Sequence, residues 1–333
     1  MENKIKPQFN YEKRIVLQDA IPLSGPLVVY VEPSSYCNLE CRFCPQHTGK
    51  GDFPKYNMSV ETFQKTLADI AKFPNKPSLM RFCGIGDPLF NKNISDIITL
   101  ASDANVVERT ELITNGLLLN DRLIEKFSRH LGRIVISVEG LSSGDYADFA
   151  LRKVDFAAFL ESIEKFYRFT NRTCTIHIKI HNQAVLTDDR KKIFFDTFSP
   201  ICDEIYIENL VDLWPEVSSN LGINAGHRFE STKPSESKVC PQIFKSLQIN
   251  ADGRVLPCCV DWKSMNIVGN LKENSLQEIW SGKTIRDLQL KHLQGLRHTF
   301  SPCKGCNHNE YSEKDHLDHH ANSIIKKMFK DTA

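Results

Sequence analysis

The sequence predicts an α/β fold: a parallel sheet, closed or partly closed, with helices outside, followed by a small cysteine-bearing α+β unit. Three observations predict it. From Leu27, short apolar, β-branched runs alternate with longer segments of helical periodicity, giving six β/α units in a row. After about residue 225 the rhythm breaks and the chain turns polar and rich in turn formers. Cysteines then return as a second group, well separated from the first.

The elements follow in order. Residues 1–26 are polar and then punctuated by Pro22 and Pro26, as a short extension packed against the domain that follows would be. The strand candidates are 27–32, 78–84, 109–116, 133–140, 174–181 and 204–209, apolar runs rich in β-branched residues. Helix candidates lie near 59–73, 93–104, 121–131, 155–170 and 187–198, with Ser59 and Asp121 as N-caps. Residues 27–225 then form the barrel-like domain, and 226–310 the smaller unit. In the latter, 245–250 and 254–257 flank Ala251-Asp252-Gly253-Arg254, a hairpin in which Gly253 supplies the positive φ. A helical stretch runs from Ser275 to about His292, and residues 311–333 read as a solvated helix or a frayed tail.

At 333 residues and 41% hydrophobic content the chain can bury a sizeable core, as one large or two modest domains. A net charge of +1 carries no nucleic-acid footprint. No apolar run approaches a membrane span, and the opening MENKIKPQFN has no signal-peptide core. A cytoplasmic protein is expected, with neither membrane nor nucleic acid as partner. There, eleven cysteines, seven of them in two ligand-like groups, point to metal rather than to disulfides.

Cys37, Cys41 and Cys44 form a C-x3-C-x2-C run directly after the first strand candidate, where a β/α fold places its chemistry. Three thiolates within eight residues can hold a 4Fe–4S cluster and leave its fourth iron open to bind and reduce a small molecule. Zinc is the competing reading, but structural zinc wants four ligands and two-residue spacings. Cys240, Cys258, Cys303 and Cys306 form the other group. Seventeen residues including the hairpin separate the first two, and the last two make a C-x2-C. Four thiolates close a site completely, as an electron-storing cluster requires, and a zinc ribbon has the same outline.

Cys259 is left over, either packed beside that site or facing a substrate as a hydrogen-atom donor. Asp261 is a base or a loop residue, and Trp214 and Trp262 line a substrate space or belong to the core. Cys83, Cys174 and Cys202 lie within or beside strands without a spaced partner and read as small buried hydrophobes.

The first cysteine run, with Phe43 before its last thiol, resembles the signature of the radical S-adenosylmethionine (SAM) superfamily. The resemblance implies a partial (β/α)6 radical SAM barrel in which the open iron chelates SAM's amino and carboxylate groups. The family's glycine-rich motif ends in Glu and contacts the amino group. It falls on Gly84-Ile85-Gly86-Asp87, where this chain has an acid one methylene shorter. Ser137 and Glu139, closing the fourth strand, are the pair the family would place near the ribose, although a solvated strand end looks the same. Asn115 is a turn former or a further contact, and Lys179 and His181 alternate so that both can face the barrel interior. The residues implied at SAM are therefore Phe43, Gly84, Gly86, Asp87, Asn115, Ser137 and Glu139.

The C-terminal region resembles the auxiliary-cluster domains of the SPASM and twitch type. The carriers are Cys240…Gly253-x4-Cys258, Gly269-Asn270, Ser275-Leu-x-Glu-Ile-Trp280 and Pro302-Cys303-x2-Cys306. A full SPASM domain has further cysteines beyond the C-x2-C. None follows Cys306, which makes this a twitch-like, single-cluster version similar to scyllo-inosamine dehydrogenase-type enzymes. The resemblance implies two 4Fe–4S clusters, SAM and an external electron donor such as flavodoxin or ferredoxin. It implies a 5′-deoxyadenosyl radical that takes hydrogen from a hydroxyl-bearing carbon of a carbohydrate or aminocyclitol. A base then takes the hydroxyl proton and the second cluster the electron, leaving a ketone.

Epimerisation with Cys259 as hydrogen donor, diol dehydration and peptide modification are the alternatives within this chemistry. Many peptide modifiers carry a recognition domain before the barrel, which 26 residues cannot build. A zinc-stabilised binding protein is the alternative outside it.

Overall fold

The computed structural model describes residues 4–7, 15–48, 54–211, 213, 237–308 and 315–329. Six strands form where the β-branched runs predict them: β1 Val28–Val31, β2 Leu79–Phe82, β3 Thr110–Thr114, β4 Arg133–Val138, β5 Thr175–His181 and β6 Glu204–Glu208. Each pairs in parallel with the next, and the sheet stays open. Helices Val60–Ile70, Ile94–Ala104, Asp121–His130, Phe156–Tyr167 and Asp188–Phe198 fill the connections, which confirms the α/β class and the partial barrel. Ser59 caps its helix by accepting the Thr62 N–H. At the third helix Asn120, not Asp121, is the cap: its side chain accepts the Leu123 N–H at 3.1 Å. Two adjacent residues of nearly equal capping preference explain the one-residue difference.

Every residue of β2 is buried, because helices cover one face of the sheet and side chains fill the other. Phe82 packs against Phe63 of the first long helix, with ring centroids 5.8 Å apart. Alternation sends the neighbouring Arg81 to the opposite, concave face. There Arg81 Nε donates to Glu111 Oε1 at 2.6 Å, and Arg133 Nη1 donates to Glu111 Oε2 at 2.9 Å. Arg133 Nη2 reaches Glu204 Oε2 and His177 Nδ1, both at 2.7 Å. This charged row joins β2 to β6 near the N-terminal ends of β3, β4 and β6, leaving their C-terminal ends for other work.

The hairpin forms as expected, β7 Ser246–Ile249 with antiparallel β8 Arg254–Leu256, and Gly253 has φ +89°. A short β9, Gly269–Asn270, pairs antiparallel with β8. The hairpin does not stand apart: β7 pairs in parallel with β1, so one nine-stranded sheet runs β6-β5-β4-β3-β2-β1-β7-β8-β9. The expected boundary at 225/226 lies outside the described residues. The helical stretch after Ser275 breaks at Gly282 into Leu276–Ser281 and Lys283–Leu293, with Ser275 and Glu278 forming a capping box.

Ile5 bridges Ile205 of β6, whereas residues 17–21 and 317–328 pack against this C-terminal part. Leu17 and Ile21 join Val239, Phe244, Leu293 and Ile324 in a second apolar cluster. Of the expected solvated helix or frayed tail, the described part holds the helix Ala321–Met328, which buries one face through Ala321 and Ile324 and exposes the other. Among the described residues no helix is long and apolar enough to cross a membrane.

Candidate functional site

The first cysteine group sits on the loop leaving β1. Cys44 N–H donates to Cys41 O at 2.9 Å, which tightens the turn between those two, and Leu39 N–H points at Cys37 Sγ at 3.4 Å. Asn115 Nδ2 donates to Asn38 Oδ1 at 2.8 Å and lies 3.8 Å from the same sulfur. Gln46, which no motif marks, ties the loop down by donating to Ser35 O and Ile85 O at 2.9 and 2.7 Å. Burial pushes the thiol of Cys37 up to about 12 and of Cys44 to about 11, and raises Cys41 as well. Thiols in such surroundings ionise when a metal centre displaces their protons. Three thiols on one loop, with an N–H directed at a sulfur, fit a cluster with one open iron.

The glycine-rich segment owes its composition to packing. A Cβ on Gly86 would overlap the carbonyl oxygens of Ser34 and Tyr36, and one on Gly84 would overlap the Glu32 side chain. Asp87 is 4% exposed. Its carboxylate accepts the Leu89 N–H at 2.9 Å, the Asn115 N–H at 2.8 Å and the Thr114 hydroxyl at 2.9 Å. These bonds make a strap between the ends of β2 and β3, and any contact with SAM's ammonium would come on top of them.

At the ends of β4, β5 and β6 lies a half-apolar, half-charged group. Glu139 Oε2 stands 3.5 Å from His181 Nε2. The His181 ring stacks on Phe149 at 4.1 Å, and Phe43 borders both rings. Burial raises the Glu139 carboxyl to about 7 and lowers the His181 imidazole to about 4. Lys179 pairs with Glu208, and Ser137 sits beside Lys179 in register. Phe149 and Glu208 were not marked by any motif.

Cys240, Cys258, Cys303 and Cys306 line one cavity. Backbone N–H groups of Val260 and His308 point at Cys258 and Cys306 sulfurs, each at 3.4 Å, and Asn266 Nδ2 is 4.0 Å from Cys303 Sγ. Arg297 Nη1 holds the C-x2-C turn by donating to Cys303 O and Cys306 O at 3.0 and 2.9 Å. Among the described residues no three metal-binding side chains converge as the ligands of a single ion do. Four cysteines lining one cavity supply the number of thiolates that a fully ligated 4Fe–4S cluster needs.

Cys259 borders a separate polar cavity between the hairpin and the ends of β1 and β2, with Glu32, Gln248, Arg254, Trp262 and Lys263. Asp261 borders both cavities, and its carboxylate accepts the N–H groups of Met265 and Asn266 at 3.0 and 2.8 Å. Those bonds close a loop, and burial raises the carboxyl. Trp214 lies outside the described residues. Cys174 and Cys202 are fully buried, as expected, whereas Cys83 is half-buried within electrostatic reach of Cys259.

Comparison with known proteins agrees with this geometry. The family model of the radical SAM superfamily matches residues 31–212, and that of the SPASM iron–sulfur cluster-binding domain matches residues 240–307. A GTP 3′,8-cyclase of Clostridium perfringens is 26% identical over 222 residues, 66% of this chain and 62% of that enzyme. The chain thus matches less than two thirds of that relative's length. An S-adenosyl-L-methionine-dependent 2-deoxy-scyllo-inosamine dehydrogenase of Niallia circulans is 20% identical over 298 residues, 88% of this chain and 97% of the enzyme. The crystal structure of Streptococcus suis SuiB bound to precursor peptide SuiA has a TM-score of 0.60 at 15% identity. It covers 93% of this chain and 75% of SuiB, a likeness of fold.

Proposed function

The chain belongs to the radical SAM superfamily, and on that premise we propose that it oxidises a hydroxyl-bearing carbon of a carbohydrate- or aminocyclitol-like substrate. Its cofactors are SAM and 4Fe–4S clusters. When bound, SAM and the cluster at Cys37, Cys41 and Cys44 supply a 5′-deoxyadenosyl radical that removes hydrogen from an unactivated carbon. Cys37, Cys41 and Cys44 would hold that cluster, and Phe43 on the same loop with Ser137 and Glu139 at the end of β4 would contribute to the SAM site. Asp261 would take the hydroxyl proton, and a cluster held by Cys240, Cys258, Cys303 and Cys306 would supply the acceptor for the remaining electron. An external one-electron donor such as flavodoxin or ferredoxin recharges the first cluster.

The observation that carries this reading is the four-cysteine cavity. Four protein thiols complete a cluster and leave no iron for substrate, which suits an electron acceptor. The dehydrogenase relative supports it; the cyclase and the peptide-bound neighbour keep other substrates in view. Iron, sulfide and zinc per chain after anaerobic reconstitution test it. About eight irons and eight sulfides are expected. About four irons with one zinc would remove the electron sink and with it the oxidation.

Cys259 supports a second reading. Its place on a polar cavity beside Asp261 suits a thiol that returns hydrogen to the substrate radical, which is epimerisation. Deuterium from solvent in an epimeric product, lost in Cys259→Ala, would favour it over oxidation.

A further inference from the structure

The wall of the four-cysteine cavity has a member that the cysteine pattern does not account for. His292, on the helix Lys283–Leu293, is 1% exposed and lines that cavity together with Cys240, Cys258, Cys303 and Cys306. Its Nδ1 accepts the backbone N–H of Cys240 at 3.2 Å. That nitrogen therefore carries no proton, and the hydrogen of the neutral ring sits on Nε2. Phe300 packs against the imidazole at 5.6 Å with the rings tilted by 60°, which fixes the ring plane. Nε2 itself is buried and has no hydrogen-bond partner among the described residues. A buried N–H left unpaired costs about 1–3 kcal/mol, so the fold holds a donor in place for an acceptor inside the cavity.

We propose that His292 donates its Nε2–H to a sulfur of the auxiliary cluster held by the four cysteines, and thereby raises that cluster's reduction potential. The proposal rests on the reading of those cysteines as the cluster's ligands. His292 is a positioning and tuning residue, since four thiolates already complete the coordination. Hydrogen bonds to the sulfurs of a cluster favour its reduced state, and the same ring steadies the Cys240 backbone from its other nitrogen. In an alcohol oxidation this makes the cavity a stronger electron sink.

The full chain with Cys37, Cys41 and Cys44 all changed to Ala leaves only the auxiliary cluster to titrate. In that background His292→Leu should make one-electron acceptance roughly tenfold weaker, a fall of about 59 mV in midpoint potential. His292→Gln, which keeps an amide N–H, should recover part of it. With isotopically labelled histidine, pulsed EPR of the reduced cluster should show a weak nitrogen coupling that His292→Gln removes. Should His292→Leu fail to hold iron, the labelled protein without a change at 292 decides by the presence or absence of that coupling. A full iron complement with an unmoved potential and no coupling would overturn the role of His292 alone. Zinc in place of iron in the triple-Ala chain would overturn the cluster reading and this proposal with it.

Discussion

Asn115 at the end of β3 stands against Cys37, the first thiol of the cysteine loop, with 3.8 Å between amide nitrogen and sulfur. The same amide donates to Asn38 at 2.8 Å, and the Asn115 backbone N–H donates to Asp87. The ends of β1, β2 and β3 thus meet directly under the loop that carries Cys37, Cys41 and Cys44. The arrangement links the open sheet, a product of hydrophobic patterning, to the chemistry placed on it.

Asp87 is the centre of that junction. Asp87→Ala would leave the Thr114 hydroxyl and the N–H groups of Asn115 and Leu89 without their acceptor, at a cost of about 2–4 kcal/mol. The variant should melt at lower temperature and retain less iron at the first cluster, with the C-terminal cluster unaffected. Unchanged melting and a full iron count would show that the strap is dispensable.

Glu139 predicts a pH dependence. Its folded value of about 7 lies above the ordinary 4.5, because burial disfavours the charged form. A raised carboxyl contributes stability that is fully present below pH 4.5 and is lost as pH rises to about 7. The cluster-free chain should therefore lose on the order of 3 kcal/mol between those limits. Glu139→Gln cannot ionise and should flatten that part of the profile, becoming the more stable form at pH 8. Parallel slopes in denaturant titrations of the two proteins across this range would refute the assignment.

The parts of this molecule that were legible in the sequence are those written in local patterns. Runs such as Arg133-Ile-Val-Ile-Ser-Val138 announce a strand, and thiol spacing announces both clusters. What stayed hidden depends on contacts between distant segments. Nothing in Ser246–Ile249 says that it pairs with Val28–Val31, since parallel partners are chosen by tertiary packing. Gly84 and Gly86 read as openings toward a ligand, yet the backbone of residues 34–36 and the Glu32 side chain occupy the space where their Cβ atoms would lie. Gln46 and His292 carry no motif at all, because a residue that supports a ligand from behind needs only one suitable atom in the right place.

Glu111 predicts a stability effect far from the chemistry. It is fully buried and receives both Arg81 and Arg133. Glu111→Ala would take from Arg81 and Arg133 the buried carboxylate they share while Arg133 keeps Glu204, and removal of one partner from such a network typically costs about 3–5 kcal/mol. Glu111→Gln keeps one acceptor and should cost less. Chemical denaturation of the three proteins at pH 7 measures the order. A Glu111→Ala midpoint equal to that of the parent would mean that water reaches the row and solvates it.

The two cysteine groups should fail in different ways. Any one of Cys37→Ala, Cys41→Ala or Cys44→Ala removes a ligand from the cluster that activates SAM, so 5′-deoxyadenosine formation should fall to background. Cys303→Ala or Cys306→Ala opens the other cavity, where Arg297 holds both residues through their carbonyl oxygens. The barrel and its cysteine loop are untouched by that change, so SAM cleavage should continue. With no acceptor for the second electron, the oxidised product should disappear and SAM cleavage should run uncoupled from it. Quantifying 5′-deoxyadenosine and ketone in the same reaction separates the cases. Full yield of ketone from Cys303→Ala would remove the C-terminal site from the electron path.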